Sequence, residues 1–334
     1  MQKKYDLTIW AFLFLTFFTT IICFPLYLYN YGVDFKQLTM MIISFFVVGT
    51  SITLGYHRLF SHLSFEAHPI VKFITLFFGA GAFENSAIAW CSDHRHHHKN
   101  TDHHDDDPYS ISRGLFYAHI GWVLFRRRPD NDFSNVPDLK KDPIVMLQHR
   151  NYMLWAFLSS YALPFVIAFL WGGVNAGILS LLYSTVRVTL IHHSTFCINS
   201  LCHWVGKHPY SSRTSARDSW LMALFTFGEG YHNYHHEFQH DYRNGVKKWQ
   251  FDPTKWCIYL LSKIKLTKKL KRVDDFKIVI AEVNEITRTA QSMNNVWWVE
   301  RLASLKIDLE NGFITVSQIK KVLLEAKSAL YKTA

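Results

Sequence analysis

Apolar positions in this chain gather in long runs, with strongly polar stretches between them. Residues 8–29 contain no charged side chain, and residues 38–56 form a second such run. A helix needs about 20 apolar residues to cross a bilayer, so each run predicts a membrane span. Only Asp34 and Lys36 charge the link between them, which predicts a helical hairpin. A removable leader suits the first run less well, because it lacks a small-residue cleavage site and a second run follows at once. Residues 152–171 and 174–195 predict a second hairpin, joined at Gly172-Gly173-Val174. Arg187 is out of place in the fourth run, and is expected near the interface or facing the protein interior.

Residues 69–90 are also largely apolar. A full crossing there would put His57 and His94 on opposite sides of the membrane. The pattern is therefore read as a buried or interfacial helical hairpin, broken near Gly79-Ala80-Gly81. After Leu266 the chain turns Lys-rich, with helical spacing through Trp297-Trp298, Ile319, Val322, Leu323 and Leu330. That part predicts an amphipathic appendage, packed on the body or on lipid headgroups, with no chemistry of its own. The expected fold is an all-α integral membrane protein, with four transmembrane helices in two hairpins under a cytoplasmic helical domain. Residues 1–264 form the main domain, and residues 265–334 a basic helical C-terminal extension.

Charge sets the orientation. Net charge is +10, and nearly all Lys and Arg beyond Lys3 and Lys4 fall in residues 57–151 and 196–334. The positive-inside rule makes these parts and the N-terminus cytoplasmic. A basic balance suits an anionic membrane surface, nucleic acid or a phosphorylated substrate. With spans present, membrane lipids are the expected contact, and no nucleic acid. The short stretch before the first run favours a bacterial inner membrane. The five cysteines are scattered without a C-x-x-C, and read as reduced thiols.

Chemistry concentrates in the histidines, of which there are 19. Three clusters fall on the predicted cytoplasmic side: H-R-L-F-S-H with His57 and His62, H-R-H-H-H from His94 to His98, and H-N-Y-H-H with His232, His235 and His236. Positions i, i+3 and i+4 share a helix face, so His94, His97 and His98 project from one stripe, as do His232, His235 and His236. Neighbours on a helix diverge by about 100°, so His97 and His98 can serve different ions. His57 and His62, five apart, need a bend or a helix end to converge. These eight imidazoles are too many for one first-row ion and suit two, whose identity the ligand type leaves open among Zn, Cu, Fe and Ni. His96 points off its stripe. His68, His103, His104, His119, His149, His192, His193, His208 and His240 read as ordinary polar or core residues.

At these clusters the chain resembles the membrane fatty acyl desaturases of the stearoyl-CoA desaturase type. The resemblance is carried by H-R-L-F-S-H, D-H-R-H-H-H-K, R-G-L-F-Y-A-H-I-G-W, N-S-L-C-H and G-E-G-Y-H-N-Y-H-H, in that order, from about residue 8 to residue 250. One departure is His96, where the animal enzymes usually have alanine. The resemblance implies an oxygen-dependent acyl desaturase with two iron ions and dioxygen as cosubstrate. One iron would take His57, His62, His94, His98 and His235. The other would take His97, His203, His232 and His236, with Asn199 acting through a water. His203 and Asn199 come from the resemblance alone.

Further expectations follow from that reading. Ligating imidazoles usually donate their other N–H, and Asp93, Asp102 and Glu229 are candidate acceptors. Trp90 and Phe196 are candidates to line an acyl tunnel. Met41 and Phe45, one helical turn apart, are candidates to close its far end. Arg95, Lys99, Arg113 and the Arg126-Arg127-Arg128 run are candidates to meet an anionic head group. The substrate is an acyl-CoA or another carrier-linked acyl chain, with a Δ9 cis double bond favoured. The sequence has no His-Pro-Gly-Gly haem segment, no dinucleotide fingerprint and no iron–sulfur cysteine set. A separate ferredoxin, rubredoxin or cytochrome b5-type donor with its reductase is therefore implied. Competing readings are a related di-iron lipid hydroxylase, a zinc-dependent membrane hydrolase with one metal and three or four ligands, and a metal transporter.

Overall fold

The computed structural model describes residues 6–125 and 133–331. Three helices are long and apolar enough to cross a membrane: α1 (Leu7–Tyr31), α2 (Phe35–Ser61) and a 52-residue run over Tyr152–His203. The Asp6 and Asp34 side chains cap the first two, each accepting from two backbone N–H groups of the opening turn. Between α2 and the long run stand α3 (Pro69–Ala80) and α4 (Ala87–Lys99). The 12-residue α3 is shorter than a bilayer crossing requires, and the chain breaks after Ala80 as the sequence pattern predicts.

The long run, α5 (Tyr152–His203), is not continuous. Gly172 (φ −150°, ψ 19°) and Gly173 (φ 65°, ψ −161°) leave helical geometry inside it, and the positive φ at Gly173 is a conformation that glycine adopts without strain. Arg187 is 1 % exposed and faces inward, where its Nη1 donates to Gly81 O at 2.7 Å. The misplaced charge thus satisfies a carbonyl at the break after α3. A main core joins α2, α3 and α4 through Val48, Leu54, Tyr56, Leu76 and Ile88. Two short strands, β1 (Glu66–Ala67) and β2 (Thr267–Lys268), pair antiparallel and tie residues after the main body back to the end of α2.

α6 (His232–Glu237) carries the third histidine cluster. Beyond β2, α7 (Asp275–Ser292), α8 (Val296–Glu310) and α9 (Val316–Tyr331) form a bundle with its own core. Val279, Val283, Ile286 and Ala290 recur at helical spacing on α7 and meet Leu302, Leu305, Ile319, Leu323 and Leu330. Trp298 is buried in that core, while its neighbour Trp297 is exposed. A second apolar contact docks the bundle on the body, where Ile278 and Ala281 meet Tyr210 and Tyr234.

Candidate metal centre

The end of α2 solves the spacing of His57 and His62. Residues Ile52–Ser61 form a π-helix, and the His62 N–H reaches His57 O, five residues back, at 3.1 Å. An i→i+5 turn stacks residues five apart, as a straight α-helix does not. The two rings lie with centroids 4.7 Å apart. α4 and α6 present their histidines at the i, i+3, i+4 spacing read from the sequence. His203 sits in the short turn that ends α5.

Nine histidines converge in two groups. His57, His62, His94, His98 and His235 make one; His97, His203, His232 and His236 make the other; the ligand atoms in each lie within 4.8 Å of one another. In the first group Nε2 atoms approach at 3.0 Å (His57–His235), 2.8 Å (His62–His94) and 2.9 Å (His98–His235). In the second they approach at 3.0 Å (His203–His232), 3.1 Å (His232–His236) and 3.4 Å (His97–His236). The groups adjoin where His98 stacks on His236, centroids 4.4 Å apart.

The far ring nitrogens decide what these contacts mean. Glu229 Oε2 stands 3.0 Å from His57 Nδ1, and Asp107 Oδ1 stands 2.8 Å from His97 Nδ1. A carboxylate only accepts, so His97 Nδ1 donates and its Nε2 carries a bare lone pair, while Glu229 stands at ion-pair distance from the His57 ring. His203 Nδ1 is 2.8 Å from Ser215 Oγ, whose own proton goes to Asp102 Oδ1 at 2.5 Å. Its Nε2 is left in the same state. Lone pairs facing each other at about 3 Å repel unless a cation sits between them, so the donor set fits metal ions. Burial first, then the neighbouring imidazoles, hold His94, His98, His232, His235 and His236 well below the ordinary histidine range, in the neutral form that ligates. Burial alone would raise Glu229, yet His57 and Arg58 outweigh it and hold it below the usual carboxylate range.

A cavity of about 1270 Å³ runs past the first group, lined by His57 and His94, by Trp90, Phe12, Ile52 and Phe196, and by Asp105 and Arg113, whose N–H groups go to His104 O, the Tyr117 hydroxyl and Asp105. Trp90 stacks on His94 (4.9 Å, 22°) and its Nε1 donates to Glu84. Asn199 and Asp93 also line the cavity.

Other sequence candidates fall elsewhere. Met41 lines a separate small cavity beside Arg187, and Phe45 packs on Phe227, so neither reaches the large cavity. Arg95 is corrected from head-group ligand to structural clamp: its N–H groups go to Ser61 O, Phe60 O, Asn135 O and both oxygens of Asp138. Lys99 is exposed at the end of α4. The Arg126-Arg127-Arg128 run lies outside the described residues. Sequence reasoning missed Asp107 and Tyr109, whose hydroxyl is 3.3 Å from His94 Nδ1, and Ser215. The crowded D-H-H-D-D-D-P stretch after the second cluster was the available signal for Asp107.

Buried imidazoles in two groups able to hold metal, beside an apolar cavity and helices long enough to cross a membrane, define a class of membrane-capable metal-binding proteins. Within it the family is clear. Residues 36–253 match the family described as Fatty acid desaturase, and the chain belongs to that family. It is 41 % identical over 246 residues to the "Probable acyl-CoA desaturase" of Schizosaccharomyces pombe (73 % of this chain, 50 % of that one). It is 38 % identical over 289 residues to "Acyl-CoA desaturase 1" of Saccharomyces cerevisiae (83 % and 54 %). It is 39 % identical over 197 residues to the "Delta(9)-fatty-acid desaturase fat-5" of Caenorhabditis elegans (58 % and 59 %). The chain spans about half the length of the two yeast relatives.

Proposed function

We propose that the protein is an oxygen-dependent acyl-CoA desaturase that introduces a cis double bond, at Δ9, into a saturated chain. The observation that carries this reading is the pair of histidine groups whose bare Nε2 atoms converge beside one apolar cavity. The names of the relatives support the acyl-CoA substrate and the Δ9 position. The nine histidines would hold two irons, one also reached by Asn199 through a water, and these would supply, with dioxygen, two electrons and two protons, the oxidising power to take two hydrogens from adjacent methylenes and release two waters.

The protein's own residues bind, orient and exclude water. Trp90, Phe12 and Phe196 present an apolar wall to the acyl chain. Arg113, held on the cavity wall by the Tyr117 hydroxyl and Asp105, is the cation proposed to face the anionic carrier. Glu229, Asp107 and the Asp102–Ser215 pair hold the rings in one tautomer. Electrons come from a ferredoxin, rubredoxin or cytochrome b5-type donor. Four crossings with the histidines on the cytoplasmic side are part of this reading, supported by the Gly172–Gly173 break in the long run and by the positive-inside rule. Residues 265–334 are an extension of the desaturase domain.

A single-metal hydrolase with three or four ligands has no use for five and four imidazoles. The test is elemental analysis of the protein purified in detergent, with lipid profiling of expressing cells. Two irons per chain and new monounsaturated acyl chains are expected. One zinc with released fatty acid would overturn the reading, and hydroxylated chains would move it to the hydroxylase.

A further inference from the structure

The C-terminal bundle has no chemistry of its own, yet it reaches toward the second histidine group. Glu285 on α7 is 5 % exposed. Its Oε2 accepts from Ser212 N at 2.8 Å and from Ser212 Oγ at 3.1 Å, and pairs with Arg288. Ser212 belongs to a segment with almost no regular structure, secured by single bridges such as Lys207↔Asp218. Three residues on is Ser215, which stands behind His203.

The other side of the segment is held by the metal helix. Asn233, next to His232, accepts from Tyr210 N (2.9 Å) and Ser211 N (3.2 Å), and donates to Ser211 O (2.6 Å) and Ala216 O (2.8 Å). Residues 210–216 are thus clamped between α6 and α7. A loop held from one side only has two soft backbone torsions per residue with which to shift, and a ligand ring displaced by a fraction of an ångström binds metal less well.

Resting on the di-metal reading above, we infer that Glu285 is a positioning residue: through Ser212 and Ser215 it sets the orientation of His203 and so the metal affinity of the four-histidine group. The first group differs: His57 and His94 are backed by Glu229 and Tyr109, and α2 and α4, which carry four of its five histidines, by the main core. The bundle therefore governs loading of one metal and not the other.

The test uses the full chain in detergent, stripped by chelator and titrated with cobalt(II), which imidazole groups bind and whose visible spectrum reports the ligand field. The wild type takes up two ions. Glu285→Leu is expected to weaken one of the two uptake steps by about tenfold or more, the usual size for loss of an outer-shell partner, and leave the other unchanged. Its remaining one-ion spectrum should match that of His203→Ala. Glu285→Gln should behave as wild type, since an amide oxygen accepts both Ser212 bonds. Two uptake steps of wild-type affinity in Glu285→Leu overturn the inference, as does equal weakening of both steps. If Glu285→Leu does not accumulate, Glu285→Ala, which removes the same acceptor from both Ser212 donors without adding apolar bulk, decides: selective weakening supports the inference and wild-type titration overturns it. A wild type that takes up only one ion sinks the di-metal reading instead.

Discussion

The two histidine groups use the same ligand atom and differ in what stands behind it. The five-histidine group is backed from inside the body. Glu229 there accepts from Arg58 and Asn244, and Arg58 in turn meets Asp252, with Arg58, Glu229 and Asp252 each at most 1 % exposed. The four-histidine group is backed from loops: Asp107 lies after α4, and Ser215 and Asp102 lie in turns. Asp102 even adopts a positive φ of 68° to reach its place. Ring partners set in a buried ion network share the stability of the whole fold, whereas ring partners set on loops have only the stability of those loops.

The strongest way to break the comparison is to unmake the network. Arg58→Met leaves Glu229 and Asp252 buried without their cation, a loss on the order of 3–5 kcal/mol. Thermal unfolding in detergent should fall sharply, and both metals should go with it. If Arg58→Met keeps wild-type stability, the five-histidine group is not anchored as described.

Asp107→Asn sharpens the contrast. An amide can still face His97 Nδ1, but it no longer compels that nitrogen to donate. Affinity of the four-histidine group should drop roughly 10–100-fold while the other group loads normally. Metal stoichiometry at limiting ion checks this, and equal loss from both groups would refute it.

A smaller effect concerns Glu84, beside Trp90. Burial pushes its carboxyl up to about 7 from an ordinary 4.5. Between those values the folded state keeps a proton that the unfolded state has lost, so stability falls as pH rises through that interval. Glu84→Gln should flatten the slope of the unfolding midpoint between about pH 5 and 7. An unchanged slope would show that the acid is ionised in place. Smallest of all is His149→Ala, which removes the contact of Nδ1 with Ser86 Oγ at the start of α4 (2.7 Å). About 1 kcal/mol of stability and no metal should be lost; reduced metal content would count against its assignment as an ordinary residue.

What was legible in the sequence followed from periodicity. His94, His97 and His98, and likewise His232, His235 and His236, announce themselves because one helix carries each set. The parting of His97 from His98 followed from the same geometry. His203 did not, because it is a lone histidine in a turn, and only the resemblance pointed to it. The partners behind the rings were mostly hidden: Ser215 meets Asp102 across 113 positions, and no local pattern encodes that. Asp102 and Glu229 were named without their routes, and Asp107 was passed over. Arg95 misled because a basic residue inside a histidine cluster looks like a ligand-facing charge, whereas the fold closes Asp138 and three carbonyls around it.

The π-helix over Ile52–Ser61 makes the gene intolerant of a particular kind of accident. Its surplus residue is what brings His62 back over His57. A one-codon deletion anywhere within it would let the segment relax to an ordinary α-turn, swinging everything beyond the deletion by about 100°. Substitutions there can be conservative or drastic one at a time, but the reading length between the two histidines has no neutral neighbours. The segment should therefore accept replacement far more readily than insertion or loss.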